Sequence, residues 1–211
     1  MNTVFFDLDG TLTDPKEGIT RSIQYALERL SALVPEMDDL LWCIGPPLRA
    51  SLAQLLNGDD DAAGEALALY RERFAETGLY ENAVYAGIPD VLKVLKSQGK
   101  RLFVATSKPH VYAERIVEHF GLGDYFEIVF GSELDGTRVE KTDLLQYVIA
   151  QTETDPSEAV MIGDREHDML GARNNGLSRI GVLYGYGSEA ELRAAGAEQL
   201  VSSPAELLQM L

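Results

Sequence analysis

The sequence predicts an α/β fold: a Rossmann-like parallel sheet with helices on both faces, plus a small all-helical cap inserted after the first strand. Two observations carry this. Short apolar runs rich in Val, Ile and Phe recur at 4–6, 102–105, 128–130, 160–162 and 180–183, and most are followed by a helical pattern. That alternation is the signature of βαβ units with right-handed crossovers. One stretch breaks it, because nothing between the first run and the one at Leu102 has a convincing strand pattern. A core domain of 1–14 and 82–211 and a cap domain of 15–81 follow.

Element by element, Val4-Phe5-Phe6 is the first strand. Asp14-Pro15-Lys16-Glu17 then offers a capping residue, Pro at the first helical position and Glu three residues after the cap, a strong helix start. Ile19, Ile23, Ala26, Leu27, Leu30 and Val34 continue it at helical spacing. Two more helices are expected over 47–56 and 61–75, separated by Asn57-Gly58-Asp59. The hinges fall near Asp14 and at 80–87. Beyond them, helices over 89–98, 109–119, 142–151, 166–174 and 189–195 alternate with the remaining strands.

Composition narrows the function. With 18 Lys+Arg against 34 Asp+Glu, the net charge is −16, which repels nucleic-acid polymers and anionic membranes. A small anion can still be captured by local cations or a metal. The single cysteine, Cys43, allows no internal disulfide and reads as a buried spectator thiol. The apolar run at 4–6 is too short for a signal peptide or membrane span, so a cytoplasmic protein is expected, a monomer or homodimer.

Four short motifs carry chemistry. In Phe5-Phe6-Asp7-Leu8-Asp9-Gly10-Thr11, two carboxylates emerge from an apolar strand on the same side and partly desolvated, so they need a cation between them or a shared proton. A solvated turn is the plainer alternative, and an EF-hand fits poorly because the loop from Asp7 has Gly18 at its twelfth position. Val160-Met161-Ile162-Gly163-Asp164 ends a second strand in an acid, at the sheet edge where parallel folds place ligands. Asp168, one helical turn later, can reach the same spot, although helix capping by Asp164 would also explain the pattern. Thr106-Ser107 places hydroxyls at a third strand end, as a phosphate cradle or, for Thr106 alone, a helix cap. Lys141 begins a helix, which is unfavourable for a cation unless an anion is near. His110, His119 and His167 lack zinc-ligand spacing, and no Walker or dinucleotide-binding loop is present.

The order Asp-Leu-Asp-Gly-Thr, then Thr106, then Lys141, then Gly-Asp-x-x-x-Asp resembles the haloacid dehalogenase superfamily in its phosphatase branch. Gly45-Pro46-Pro47-Leu48, Phe130-Gly131-Ser132 and Tyr184-Gly185-Tyr186-Gly187-Ser188 resemble its phosphoglycolate phosphatase-like group, in which the residue after the motif threonine is often Asn and here is Ser107. The resemblance implies a phosphatase acting on a small phosphorylated metabolite. It implies Asp7 as nucleophile, Asp9 as acid and base, and Mg²⁺ held by Asp7, the Asp9 backbone carbonyl and Asp164, with Asp168 orienting that shell. Thr106, the Ser107 amide and Lys141 would hold phosphate oxygens. Lys16 and Arg49 are the candidates for reading the substrate's far end. Asp9 disfavours a dehalogenase, whose halide leaving group needs no proton. A sugar-phosphate mutase and a non-catalytic phospho-receiver remain as alternatives.

Overall fold

The computed structural model describes residues 1–211. A six-stranded parallel sheet has the order β5-β4-β1-β6-β7-β8, with β1 Thr3–Phe6, β4 Arg101–Pro109, β5 Ile128–Ser132, β6 Ala159–Gly163, β7 Ser178–Val182 and β8 Gln199–Val201. β1 is central, in register with β4 on one side and β6 on the other, Phe6 lying opposite Val104 and Ile162. The strands that end in Asp7, Thr106 and Asp164 are thereby adjacent, and their carboxyl ends lie along one sheet edge.

Alternation along β1 supplies both faces of the core. Phe5 packs against Phe103 with ring centroids 5.5 Å apart, and Phe103 against Phe130 at 6.2 Å. Leu144, Leu145 and Val148 of α6 (Lys141–Thr152) and Ala172 of α7 (Glu166–Asn174) complete that cluster. On the other side Phe6 meets the edge of Phe126. α4 (Ile88–Ser97) buries Ile88, Val91, Leu92 and Leu95, and with α5 (His110–His119) it contacts β4. α8 (Glu189–Ala195) adds Leu192 and Ala195 to a smaller cluster with Met169.

The chain divides into two compact units, Met1–Asp14 with Val84–Leu211, and Pro15–Ala83. The second is helical: α1 (Lys16–Arg29), a 3₁₀ segment Met37–Cys43, α2 (Leu48–Leu55), α3 (Asp60–Arg73) and a π turn Phe74–Gly78. Its interior holds Ile19, Ile23, Leu27, Leu52, Ala66 and Phe74, with Cys43 buried and in no disulfide. Two short strands, β2 (Thr13–Asp14) and β3 (Ala83–Val84), pair where the chain leaves and re-enters the core. No helix is long and apolar enough to cross a membrane.

Two local expectations differ from the structure. α1 starts at Lys16 with Pro15, not Asp14, in the cap position; Pro15 makes no side-chain cap bond, and the Asp14 carboxylate accepts from Tyr186. Thr106 does not cap α5, because β4 runs on to Pro109 through a register irregularity after Ala105.

Candidate active site

After Phe6 the chain turns sharply. The Leu8 carbonyl accepts the amides of Thr11, Leu12 and Thr13, and Gly10 sits at φ +80°, a left-handed conformation that disfavours a side chain. The approach is tight as well: a Cβ on Gly10 would stand 2.1 Å from Asp164 Oδ2. The glycine after Asp9 thus lets the first turn lie directly against the acid at the end of β6.

Three carboxylates converge there. Ligand oxygens of Asp7, Asp164 and Asp168 all lie within 4.8 Å of one another, and all three residues are buried. Lys141 Nζ stands 2.8 Å from Asp7 Oδ1, 2.8 Å from Asp168 Oδ1 and 2.9 Å from the Ala105 carbonyl oxygen. Burial pushes the Lys141 ammonium down, but Asp168 and Asp7 outweigh it and hold the group above the ordinary lysine range. It is therefore a fixed positive charge, and the cation at the start of α6 has its anions. Asp168 Oδ2 also accepts the Arg165 amide, closing the first turn of α7, whose cap position is Arg165 and not Asp164.

Asp9 is placed apart from this group. Its Oδ2 pairs with Lys108 Nζ at 2.8 Å while its Oδ1 is buried without a hydrogen-bond partner. Burial raises its carboxyl above the usual aspartate range against the pull of Lys108. The two motif carboxylates are thus relieved by two separate lysines and not by one shared proton. Lys108 is a site residue that the sequence does not reveal, a strand lysine two positions after Thr106 that proves to be buried.

Thr106 is buried, and its Oγ1 accepts the Lys108 amide at 3.3 Å. Ser107 is half-buried, and its carbonyl accepts from Ser132 Oγ. The two candidate substrate-reading cations of the helical unit have partners of their own there. Lys16 Nζ lies 2.6 Å from Asp38, and Arg49 makes a bidentate contact with Asp60 at 3.0 and 2.7 Å.

The donor set fits a hard divalent cation. Asp164 Oδ1 is buried with no hydrogen-bond partner, and burial together with Asp168 and Asp7 pushes the Asp164 carboxyl well up. A carboxylate held in that state is relieved by a positive ion. The ligand atoms are carboxylate oxygens with no sulfur or imidazole among them, the chemistry of Mg²⁺ more than of zinc.

Comparison with known proteins identifies the family. Residues 4–182 match the family model described as haloacid dehalogenase-like hydrolase. A 5′-nucleotidase of Pseudomonas aeruginosa is 49% identical over 208 residues, which are 99% of this chain and 94% of that protein. The tyrosine-protein kinase PtkA of Mycobacterium tuberculosis is 41% identical over 184 residues, 87% of this chain and 62% of that one. A crystal structure of a predicted phosphatase from Clostridium acetobutylicum superposes with a TM-score of 0.96 at 45% identity, covering 99% and 97% of the two chains. With the family model spanning both acidic strand ends and Lys141 between them, the chain belongs to the haloacid dehalogenase-like hydrolases.

Proposed function

We propose that this enzyme is a Mg²⁺-dependent phosphatase that hydrolyses a small organic phosphomonoester, with nucleoside 5′-monophosphates and phosphoglycolate as the leading substrates. The observation that carries the reading is the pair of buried lysine–aspartate contacts, Lys141 with Asp7 and Lys108 with Asp9. It equips one strand end with a carboxylate held against a lysine for attack and a second, raised carboxyl able to carry a proton.

In this reading a carboxylate oxygen of Asp7 attacks phosphorus, a phosphoaspartate forms, and the ester P–O bond breaks. Asp9 gives its proton to the departing alcohol oxygen. The resulting Asp9 carboxylate then takes a proton from the water that attacks the phosphoaspartate, releasing inorganic phosphate and regenerating Asp7. Lys141 keeps Asp7 oriented, and with Thr106 and the Ser107 amide it meets the charge on the phosphoryl oxygens. Asp7, Asp164 and the Asp9 backbone carbonyl are the groups that would hold Mg²⁺, with Asp168 orienting that shell. When bound, the ion supplies charge neutralisation at the phosphoryl oxygens. Lys16 and Arg49 of the helical unit would exchange Asp38 and Asp60 for the substrate's far end.

The 49% relative named 5′-nucleotidase supports the nucleotide class first. The mycobacterial relative named a kinase supports a second reading, transfer of the phosphoryl group to an acceptor other than water. Phosphate release from nucleoside 5′-monophosphates, phosphoglycolate and sugar phosphates, with Mg²⁺ and with chelator, tests both. Metal-dependent free phosphate is the expected result. Phosphoryl label reappearing on an organic or peptide acceptor, with no free phosphate, would overturn hydrolysis.

A further inference from the structure

We propose that Tyr186 is a positioning residue for Asp164, acting through a strap formed by residues 184–191. The inference rests on the reading of Asp164 as a metal-holding carboxylate.

The strap leaves β7 and grips the two acidic turns in succession. Tyr184 Oη donates to the Thr11 carbonyl at 3.2 Å. The Tyr186 amide donates to Asp164 Oδ2 at 2.8 Å, while Oδ1 has no partner. Gly187 packs so closely that a Cβ there would stand 1.9 Å from the Asp164 carbonyl oxygen. Glu191 Oε1 then accepts both Arg165 Nε at 2.8 Å and the Glu166 amide at 3.0 Å, and Ser188 caps α8 through the Glu191 amide.

One carboxylate oxygen of Asp164 is thus pinned by a backbone amide and the other is left for a ligand. That amide belongs to a residue whose side chain is anchored elsewhere: Tyr186 Oη donates to Asp14, the residue that follows the Asp7–Thr13 turn. A phenol–carboxylate hydrogen bond is charge-assisted and directional, and it fixes the amide's position relative to both turns. The arrangement costs the substrate nothing, since none of its groups has to reach the phosphate.

The test uses the full chain, Mg²⁺ alone as titrant, and calorimetry as the readout, with kinetics beside it. In Tyr186→Phe we expect the Mg²⁺ dissociation constant to rise about tenfold, the low end for partners that orient metal ligands. The KM for the phosphate ester should be unchanged, and kcat should recover at saturating Mg²⁺. Asp14→Ala, which removes the other end of the anchor, should give the same signature, and the double variant should be much weaker in effect than the product of the two. Wild-type Mg²⁺ affinity in both single variants, a kcat loss that Mg²⁺ does not rescue, or fully multiplicative effects would each overturn the proposal. Should Tyr186→Phe not fold, Asp14→Ala alone decides. Asp164→Asn separates the two layers: if it binds Mg²⁺ like wild type, the metal assignment itself fails, whereas loss of binding there with none in Tyr186→Phe fails the strap only.

Discussion

Lys141 is buried among two carboxylates and a carbonyl, so its charge is needed before any substrate arrives. Truncating it leaves Asp7 and Asp168 as uncompensated buried anions, and Lys141→Ala should cost the metal-free protein about 3–5 kcal/mol in chemical denaturation. A loss below about 1 kcal/mol would mean the carboxylates are neutral when unpaired. Asp7→Asn tests a different property of the same cluster: it keeps the side chain's shape while removing its nucleophilic charge. Turnover should fall by at least about a thousandfold with the circular dichroism spectrum retained, and wild-type rates would remove Asp7 from the attacking role. How far these residues are legible in the sequence differs one by one. Strand-end acids and a helix-start lysine stand out because each is electrostatically awkward alone. Lys108 does not, since nothing in a linear sequence reveals that a strand lysine turns inward to meet Asp9.

Most strands and helices of the core can be located from period alone, because fully buried parallel strands are short apolar runs and their crossovers are amphipathic. The helices over 166–174 and 189–195 have the bounds the pattern predicts. Edge and linker elements escape that reading: β8 is three residues with one buried, and β2 and β3 have two residues each. The helix start expected at Asp14 lies one residue later, with Pro15 in the cap position, and the Asp14 carboxylate accepts from Tyr186. The Asp7–Thr13 turn is where local conformation and site geometry meet. Gly10→Ala would place a methyl group 2.1 Å from Asp164 Oδ2 at a left-handed backbone position. We expect a stability loss of about 1–3 kcal/mol from the backbone alone, together with weakened Mg²⁺ binding by calorimetry. Retained stability and metal affinity would show that the turn can open away from β6 without consequence.

Across the whole molecule, a net charge of −16 and a buried acidic cluster make stability depend on pH in a direction set by the raised carboxyls. Burial lifts Asp9 and Asp164 above their unfolded values, so the native state binds more protons than the unfolded chain over that interval. The contribution of these two groups to the stability of the metal-free protein is then fully present below the unfolded aspartate value of about 4 and is lost as pH rises through the folded values. Self-repulsion among the surface acids acts in the same direction, so a falling melting temperature in chelator does not by itself identify the cluster. The Mg²⁺ increment does. Binding at a hundred times the dissociation constant adds about 2.7 kcal/mol, which for a chain of this size is a shift of roughly 5–10 °C. Because the ion competes with protons for Asp164, that shift should be large at pH 8 and shrink towards pH 5, and Asp164→Asn should flatten it at both. Calorimetric melts at the two pH values, with Mg²⁺ and with chelator, measure it directly. A shift of equal size at pH 5 and pH 8, surviving in Asp164→Asn, would place the ion on the surface acids and not in the cluster.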